Sequence, residues 1–237
     1  MLITTIKTHK IKPKESIFAI LDKYLPKLKE NSVIAISSKI ISICENNLIK
    51  KIKNKSKLIN KEAEFCFDSP INHPDFCLTL KNDRLIPNAG IDESNCNNFY
   101  ALLPKKPQLT AKKIWNHLRQ KHHIKNLGII ITDSNITPLR SGVTGISIGW
   151  CGFKPIHSYI GQKDIFGQTL KVSQINLLDS LATTATLATG EGDEQTPIAI
   201  IENPYKIKFQ NRAPNKKEEK MICISTEEDL FKTGLSL

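Results

Sequence analysis

Three short segments carry the residue types that could do chemistry. The first is Gly90-Ile91-Asp92-Glu93-Ser94-Asn95, the second Thr132-Asp133-Ser134-Asn135, and the third Thr189-Gly190-Glu191-Gly192-Asp193-Glu194. Each sets a carboxylate beside a hydroxyl, an amide or a glycine. Hard divalent cations take carboxylate, hydroxyl and carbonyl oxygens, and Asp92, Asp133, Ser134 and Glu191 supply that set from three parts of the chain. Such a site keeps waters and bridges nucleotide phosphates instead of forming a closed protein cage. Glycines next to the acids let backbone N–H groups approach phosphate oxygens. Any one segment alone is also an ordinary turn sequence; the three together favour a phosphate- and metal-handling site.

Other motifs are missing. No G-x-x-x-x-G-K-[ST] loop and no strand-borne G-x-G-x-x-G is present. The six histidines show no H-x-x-x-H or H-E-x-x-H zinc spacing, and the six cysteines form no C-x-x-C pair. The cysteines are expected to be reduced thiols in a cytoplasmic protein.

The elements that must position the three segments follow from periodicity. Ile17, Ile20, Leu21, Tyr24 and Leu28 recur at helical spacing, so residues 15–25 are expected to form a helix ended by Pro26. Residues 32–37 are a short apolar strand, followed by Ser37-Ser38-Lys39 and an apolar run to Cys44. Residues 45–61, rich in Lys and Asn, are an exposed helix or loop, and residues 68–75 a loop. Strands at 77–81 and 84–87 could pair. Thr110 is the expected N-cap of a helix at 111–122, and Leu127 to Thr132 a buried strand that ends before Asp133. The glycines at 142, 145, 149 and 152 suggest a strand packed closely against something. Ser173 is the expected N-cap of a helix at 174–188, with Gly190 at its C-terminus. Residues 197–202 and 221–225 are expected strands, and Ser225 with Glu228 a capping box opening a last short helix. Without strict alternation of strand and helix, the fold class is α+β, a mixed α/β sheet. The 237 residues form a single unit, or two interleaved subdomains meeting near 100 and 190.

The net charge of +11 is concentrated. Residues 1–61 hold fourteen lysines against four acids, and the remainder is nearly neutral. Arg, the better base reader, occurs only four times, and aromatics do not interleave with the lysines, so nucleic acid is disfavoured as a partner. Attraction of anionic substrates is an alternative use of the charge. No apolar run is long enough to span a bilayer.

The order of motifs resembles the coenzyme F-420:L-glutamate (γ-glutamyl) ligase family, including relatives described as folate-metabolism γ-glutamate ligases. The matching stretches are Ser37 to Ser42, Asn88 to Asn95, Leu102-Leu103-Pro104, Ile130 to Asn135, Arg140 to Gly149, Ile160 to Asp164, Phe166-Gly167 and Gly190-Glu191-Gly192. They cover most of residues 31–205. The resemblance implies a GTP-dependent ligase using Mn or Mg, which joins L-glutamate to a carboxylated small-molecule acceptor through an acyl-phosphate. It also implies a γ-glutamyl-ligase-like fold in an intertwined homodimer. Carried over by position, Asp92, Asp133, Ser134 and Glu191 correspond to metal ligands. Asn95, Ser37, Ser38, Lys39 and the turn containing Thr189, Gly190, Glu191 and Gly192 correspond to nucleotide contacts, and Thr8 to Ile11 matches a further contact segment weakly. Asp92, Asp133 and Arg140 are candidates for the reacting centre, Arg140 through a bidentate grip on a phosphate or carboxylate. The family often carries Lys-Ala-Glu-Gly where this chain has Ile43-Cys44-Glu45-Asn46, so a nucleotide-contacting lysine is missing unless Lys39 substitutes. That departure keeps a non-catalytic nucleotide or metabolite binder as an alternative. The acceptor, the number of glutamates added and the choice of GTP over ATP are left open.

Overall fold

The computed structural model describes residues 1–67, 77–225 and 227–231; the loop expected at 68–75 lies outside them. The centre is a five-stranded sheet. β1 (Leu2–Ile6) pairs antiparallel with β12 (Ile198–Glu202), which pairs antiparallel with β2 (Ser32–Ser37). β2 runs parallel to β8 (Leu127–Ile136), whose other edge pairs antiparallel with β9 (Val143–Cys151). The sheet order is β1-β12-β2-β8-β9, mixed in direction, as an α+β reading requires.

Both faces of this sheet are covered, so its central strands are apolar at nearly every position. Ile34, Ile36, Ile129 and Ile131 point to one face. There they pack against α1 (Ile17–Tyr24), α2 (Ser38–Cys44) and α4 (Pro107–His122) through Leu21, Ile41, Ile114 and Leu118. Val33, Ala35 and Ile130 point to the other face, against Leu178, Ala182 and Ala185 of α5 (Leu177–Thr189). The glycines of β9 are there for proximity. A Cβ on Gly149 would lie 2.8 Å from the Pro107 carbonyl carbon at the start of α4, and one on Gly145 would strike the backbone of Ala182 in α5.

The long connection from β2 to β8 holds smaller elements. β3 (Leu48–Lys50) pairs with β7 (Phe99–Ala101), α3 (Lys55–Glu62) follows, and β4 (Phe65–Cys66), β5 (Leu78–Lys81) and β6 (Arg84–Pro87) form a three-stranded sheet. A hairpin of β10 (Ile156–Ser158) and β11 (Gln174–Asn176) projects before α5, and α6 (Lys216–Lys220) follows β12.

Several expectations shift. The residues after Ser37-Ser38-Lys39 are a helix, α2. α4 starts at Pro107, a residue pre-set for a first helical turn, so Thr110 lies inside it. α5 starts at Leu177 with the Asn176 side chain as its cap; residues 174–176, assigned by periodicity to that helix, are strand β11. Residues 221–225 are not a strand. A complete capping box occurs at Asn215 and Glu218, opening α6. Between Ser225 and Glu228 the contacts are a hydroxyl-to-carboxylate bond of 3.4 Å and a backbone bond of 3.0 Å, and the residues that would continue that helix are partly outside the described ones.

Candidate functional site

One edge of the central sheet gathers the predicted residues. Pairing sets Ile6 at the end of β1 against Ile198 at the start of β12, and Ile198 against Ile36 near the end of β2. Ile36 in turn is paired with Ile131 of β8. The chain leaving β1, the start of α2, the second half of β8 and the turn before β12 therefore meet. Carboxyl ends of strands in such sheets are the usual location of ligand sites.

β8 does not stop at Thr132 as expected. β2 turns into α2 after Ser37, the partner of Thr132, but β9 keeps pairing with β8 out to Ile136. A bulge puts Ile148 as an extra residue opposite the Ile131–Thr132 step. Asp133 thus sits in a strand that has lost one neighbour, where a helix start takes the neighbour's place. Strand alternation then divides the site. Asp133 emerges on the face of Ile129 and Ile131, toward α2, while Ser134 emerges on the face of Ile130, toward α5.

On the α2 face, Ser38 is buried and its hydroxyl donates to Asp133 Oδ1 at 2.8 Å. Burial pushes the Asp133 carboxyl up to about 6; the Ser38 hydrogen bond opposes this and the Asp92 charge adds to it. Asp92 is held by backbone bonds in both directions with Ala101, at 3.0 and 2.8 Å. Its Oδ1 accepts from both the N–H and the hydroxyl of Ser94, each at 2.8 Å. Its Oδ2 lies 2.7 Å from the Lys39 ammonium, which also donates to Ser94 Oγ at 2.7 Å. Burial acts to raise the Asp92 carboxyl, but Lys39 and the Ser94 hydrogen bonds outweigh it and hold it below the usual carboxylate range.

On the α5 face, Ser134 Oγ donates to Glu191 Oε1 at 2.6 Å. Glu191 belongs to the turn that leaves α5 through Gly190, whose φ of 75° reverses the chain where a helical residue would have continued it. The turn is tied in place. Thr189 O accepts from the Thr196 hydroxyl at 2.7 Å, and Gly192 N–H donates to Glu194 at 2.9 Å. Asn95 Nδ2 donates to Gly192 O at 2.8 Å, joining the two halves of the site. Ser37 caps α2 by position without a side-chain bond, and its N–H donates to Pro197 O at 2.9 Å.

The candidate residues therefore meet in pairs: Ser38 with Asp133, Lys39 with Asp92, Ser134 with Glu191, Asn95 with Gly192. Arg140 stands apart in an exposed turn, its N–H on Thr137 O at 3.2 Å, with no side-chain contact to the others. Among the described residues no group of three or more His, Cys, Asp or Glu side chains could hold a metal ion by itself. A surface cavity of about 400 Å³ at the start of α4, lined by Lys106, Pro107, Leu109, Lys112, Ala213 and Pro214 among others, contains none of the candidate residues.

Sequence reasoning missed one participant, Ser94, and matched another, Thr8, only weakly. Nothing in the segment's composition assigns Ser94 a role, although Asp-x-Ser spacing is what lets a hydroxyl and an N–H turn back onto the carboxylate. Thr8 is buried, and its N–H donates to Gln195 O at 3.0 Å, fastening the chain after β1 to the 189–196 turn.

Fold and edge together define the class: a mixed α+β protein whose sheet edge carries carboxylates, hydroxyls and one lysine in linked pairs. A family model described as F420-0:Gamma-glutamyl ligase matches residues 5–203, and the chain belongs to that family. It is 33% identical over 211 aligned positions to the coenzyme F420:L-glutamate ligase of Methanococcus maripaludis strain C6, covering 81% of this chain and 85% of that one. The protein of the same description from Methanopyrus kandleri is 29% identical over 244 positions, with 94% of each chain covered. That from Methanosarcina mazei is 44% identical over 145 positions, covering 61% of this chain and 55% of its own. No helix among the described residues is long and apolar enough to cross a membrane.

Proposed function

We propose that this protein is a GTP-dependent, divalent-metal-dependent γ-glutamyl ligase that forms an amide between L-glutamate and a carboxylated small-molecule acceptor of the F420-0 type. The observation that carries the reading is that consecutive residues at the start of α2, Ser38 and Lys39, hold Asp133 and Asp92, within a chain that belongs to the F420-0:γ-glutamyl ligase family.

The residues fit a hard divalent cation, Mn or Mg. Asp92 Oδ2 already holds a cationic group, and the Asp133 carboxyl, raised first by burial and then by the Asp92 charge, is one that a cation would favour in its ionised form. The donors are oxygens, and a cation of this kind binds through one or two carboxylates together with substrate phosphates. Asp92 and Asp133 would hold it on the α2 face, with Ser134 and Glu191 as a second oxygen set on the α5 face. When bound, the cation neutralises phosphate charge.

The chain's own part is positioning. Ser37, Ser38 and Lys39 at the start of α2, Asn95, and the turn of Thr189, Gly190, Glu191 and Gly192 present N–H, amide and ammonium donors to a nucleotide. The acceptor carboxylate attacks the γ-phosphorus of GTP and GDP leaves, giving an acyl-phosphate. The L-glutamate amine then attacks the acyl carbon, loses a proton and expels inorganic phosphate. Both steps gain from holding the reactants in line and from fixed charge around the phosphates. Arg140 would join only if its turn closed over the substrates.

A homodimer in the cytoplasm completes the reading. The tip of the β10–β11 hairpin exposes Ile165 at 92%, Phe166 at 84% and Val172 at 83% of their surface, which a second copy would cover. The test is phosphate release from GTP with Mn, measured with and without L-glutamate and F420-0. Release that requires both substrates supports the ligase. Tight nucleotide binding without any release would favour a non-catalytic binder.

A further inference from the structure

Lys39 occupies the place at Asp92 that a metal ion would need. It is the second residue of α2, only 22% of its side chain is exposed, and its ammonium sits 2.7 Å from Asp92 Oδ2. Oδ1 of Asp92 is already used by the Ser94 N–H and hydroxyl, so Oδ2 is the oxygen left for a cation, and the lysine has it. The same ammonium is steadied by the Ser94 hydroxyl at 2.7 Å. Ser94 thus holds both members of the ion pair, donating its N–H and hydroxyl to Asp92 and accepting from Lys39.

We propose that Lys39 is an internal counter-ion that competes with the divalent cation for Asp92 and is handed to the nucleotide phosphates when the cation enters. The inference rests on the metal assignment made above for Asp92. The ammonium is a compact charge on a flexible four-carbon stem, so it can leave Oδ2 without any movement of α2. Two cations do not share one carboxylate oxygen without repulsion, so entry of the metal expels the lysine. A triphosphate arriving at the same sheet edge offers the lysine a new anionic partner and vacates Asp92. Each ligand therefore assists the other, and the assistance is reciprocal.

This has a sign that structural damage cannot mimic. Lys39→Met keeps the length of the stem and removes the charge. It should bind the metal alone more tightly than the parent protein, by roughly tenfold, within the range usual for coupled sites. It should also bind GTP more weakly, and the mutual assistance between metal and GTP should shrink.

The experiment titrates Mn ion, with no nucleotide present, into the full chain and its Lys39→Met and Asp92→Asn variants, following free Mn by electron paramagnetic resonance. Tighter binding in Lys39→Met with weaker binding in Asp92→Asn supports the proposal. Weaker binding in Asp92→Asn with unchanged or weaker binding in a folded Lys39→Met overturns it and leaves the metal assignment standing. Identical binding in all three proteins overturns both. If Lys39→Met does not fold, Ser94→Ala decides the matter: it loosens the lysine without removing its charge, so Mn affinity should rise severalfold, and no rise overturns the proposal.

Discussion

The Ser38 hydroxyl donates to Asp133 Oδ1 at 2.8 Å and so ties the first residue of α2 to the strand β8 at the point where β2 has turned away. The bond satisfies a carboxyl that burial disfavours in its charged form. Ser38→Ala removes the donor. The variant should lose about 1–2 kcal/mol of stability near neutral pH, the usual cost of leaving a buried acceptor unsatisfied. Urea unfolding of the two proteins measures it, and the Asp133 carboxyl should titrate higher than in the parent.

Asp133 itself works against stability. Its folded value, about 6, lies above its ordinary 3.8, so the folded state binds the extra proton. Stability therefore falls as pH rises from about 4 through 6. Asp133→Asn should remove that slope and leave the ligand-free protein more stable at pH 7.5, on the order of 1 kcal/mol, while Mn with GTP no longer raises its melting temperature. Melting temperatures across pH 5 to 8, with and without the ligands, check both halves.

Much of this was legible beforehand, and the misses have identifiable causes. The central strands β2 and β8 are visible as unbroken Val and Ile runs because both faces are buried, and periodicity finds α1, α4 and α5 because each buries a single stripe. The sequence suggests too early an end for β8 because Asp, Ser and Asn favour turns. What keeps them extended is antiparallel pairing with β9, the next strand of the chain, which continues past the point where β2 turns away. Residues 174–176 fit a helical stripe, yet Asn176 caps α5 and releases them to pair with β10. The acidic segments were identifiable from composition, but their division between two faces of the sheet was not, because it depends on where β8 continues. Arg140 has the chemistry for a phosphate grip, but it lies in the exposed turn that closes the β8–β9 hairpin, a position that follows only once β8 runs on to Ile136.

One amide joins the turn after α5 to the Asp92 segment: Asn95 Nδ2 donates to Gly192 O at 2.8 Å. Asn95→Ala should speed amide hydrogen exchange across residues 190–196 and raise the KM for GTP severalfold, with kcat changed less. Exchange measured by mass spectrometry separates this from a general loss of stability, which would accelerate exchange in the core strands as well.

A second pH effect lies far from the site. Glu218 accepts from Arg212 at 2.6 and 2.9 Å and from the Asn215 N–H at 3.0 Å, and these contacts, the Arg212 hydrogen bonds first, hold its carboxyl down to about 2. A depressed folded value contributes stability above pH 4.5 that is lost as pH falls toward 2. Glu218→Gln should cost roughly 1–2 kcal/mol at pH 7 and cost little at pH 2, where the parent has lost the same contacts. Denaturant unfolding at the two pH values gives the difference.

The most direct test of the ligase reading is mass spectrometry of the acceptor after incubation of the protein with GTP, Mn ion, L-glutamate and F420-0. The account predicts an acceptor heavier by a glutamyl unit, formed only when GTP and Mn are both present, with GDP and phosphate produced in equal amounts and no product from Asp133→Ala. An acceptor left unchanged by parent protein that binds GTP and Mn, or product formed equally well by Asp133→Ala, would contradict it.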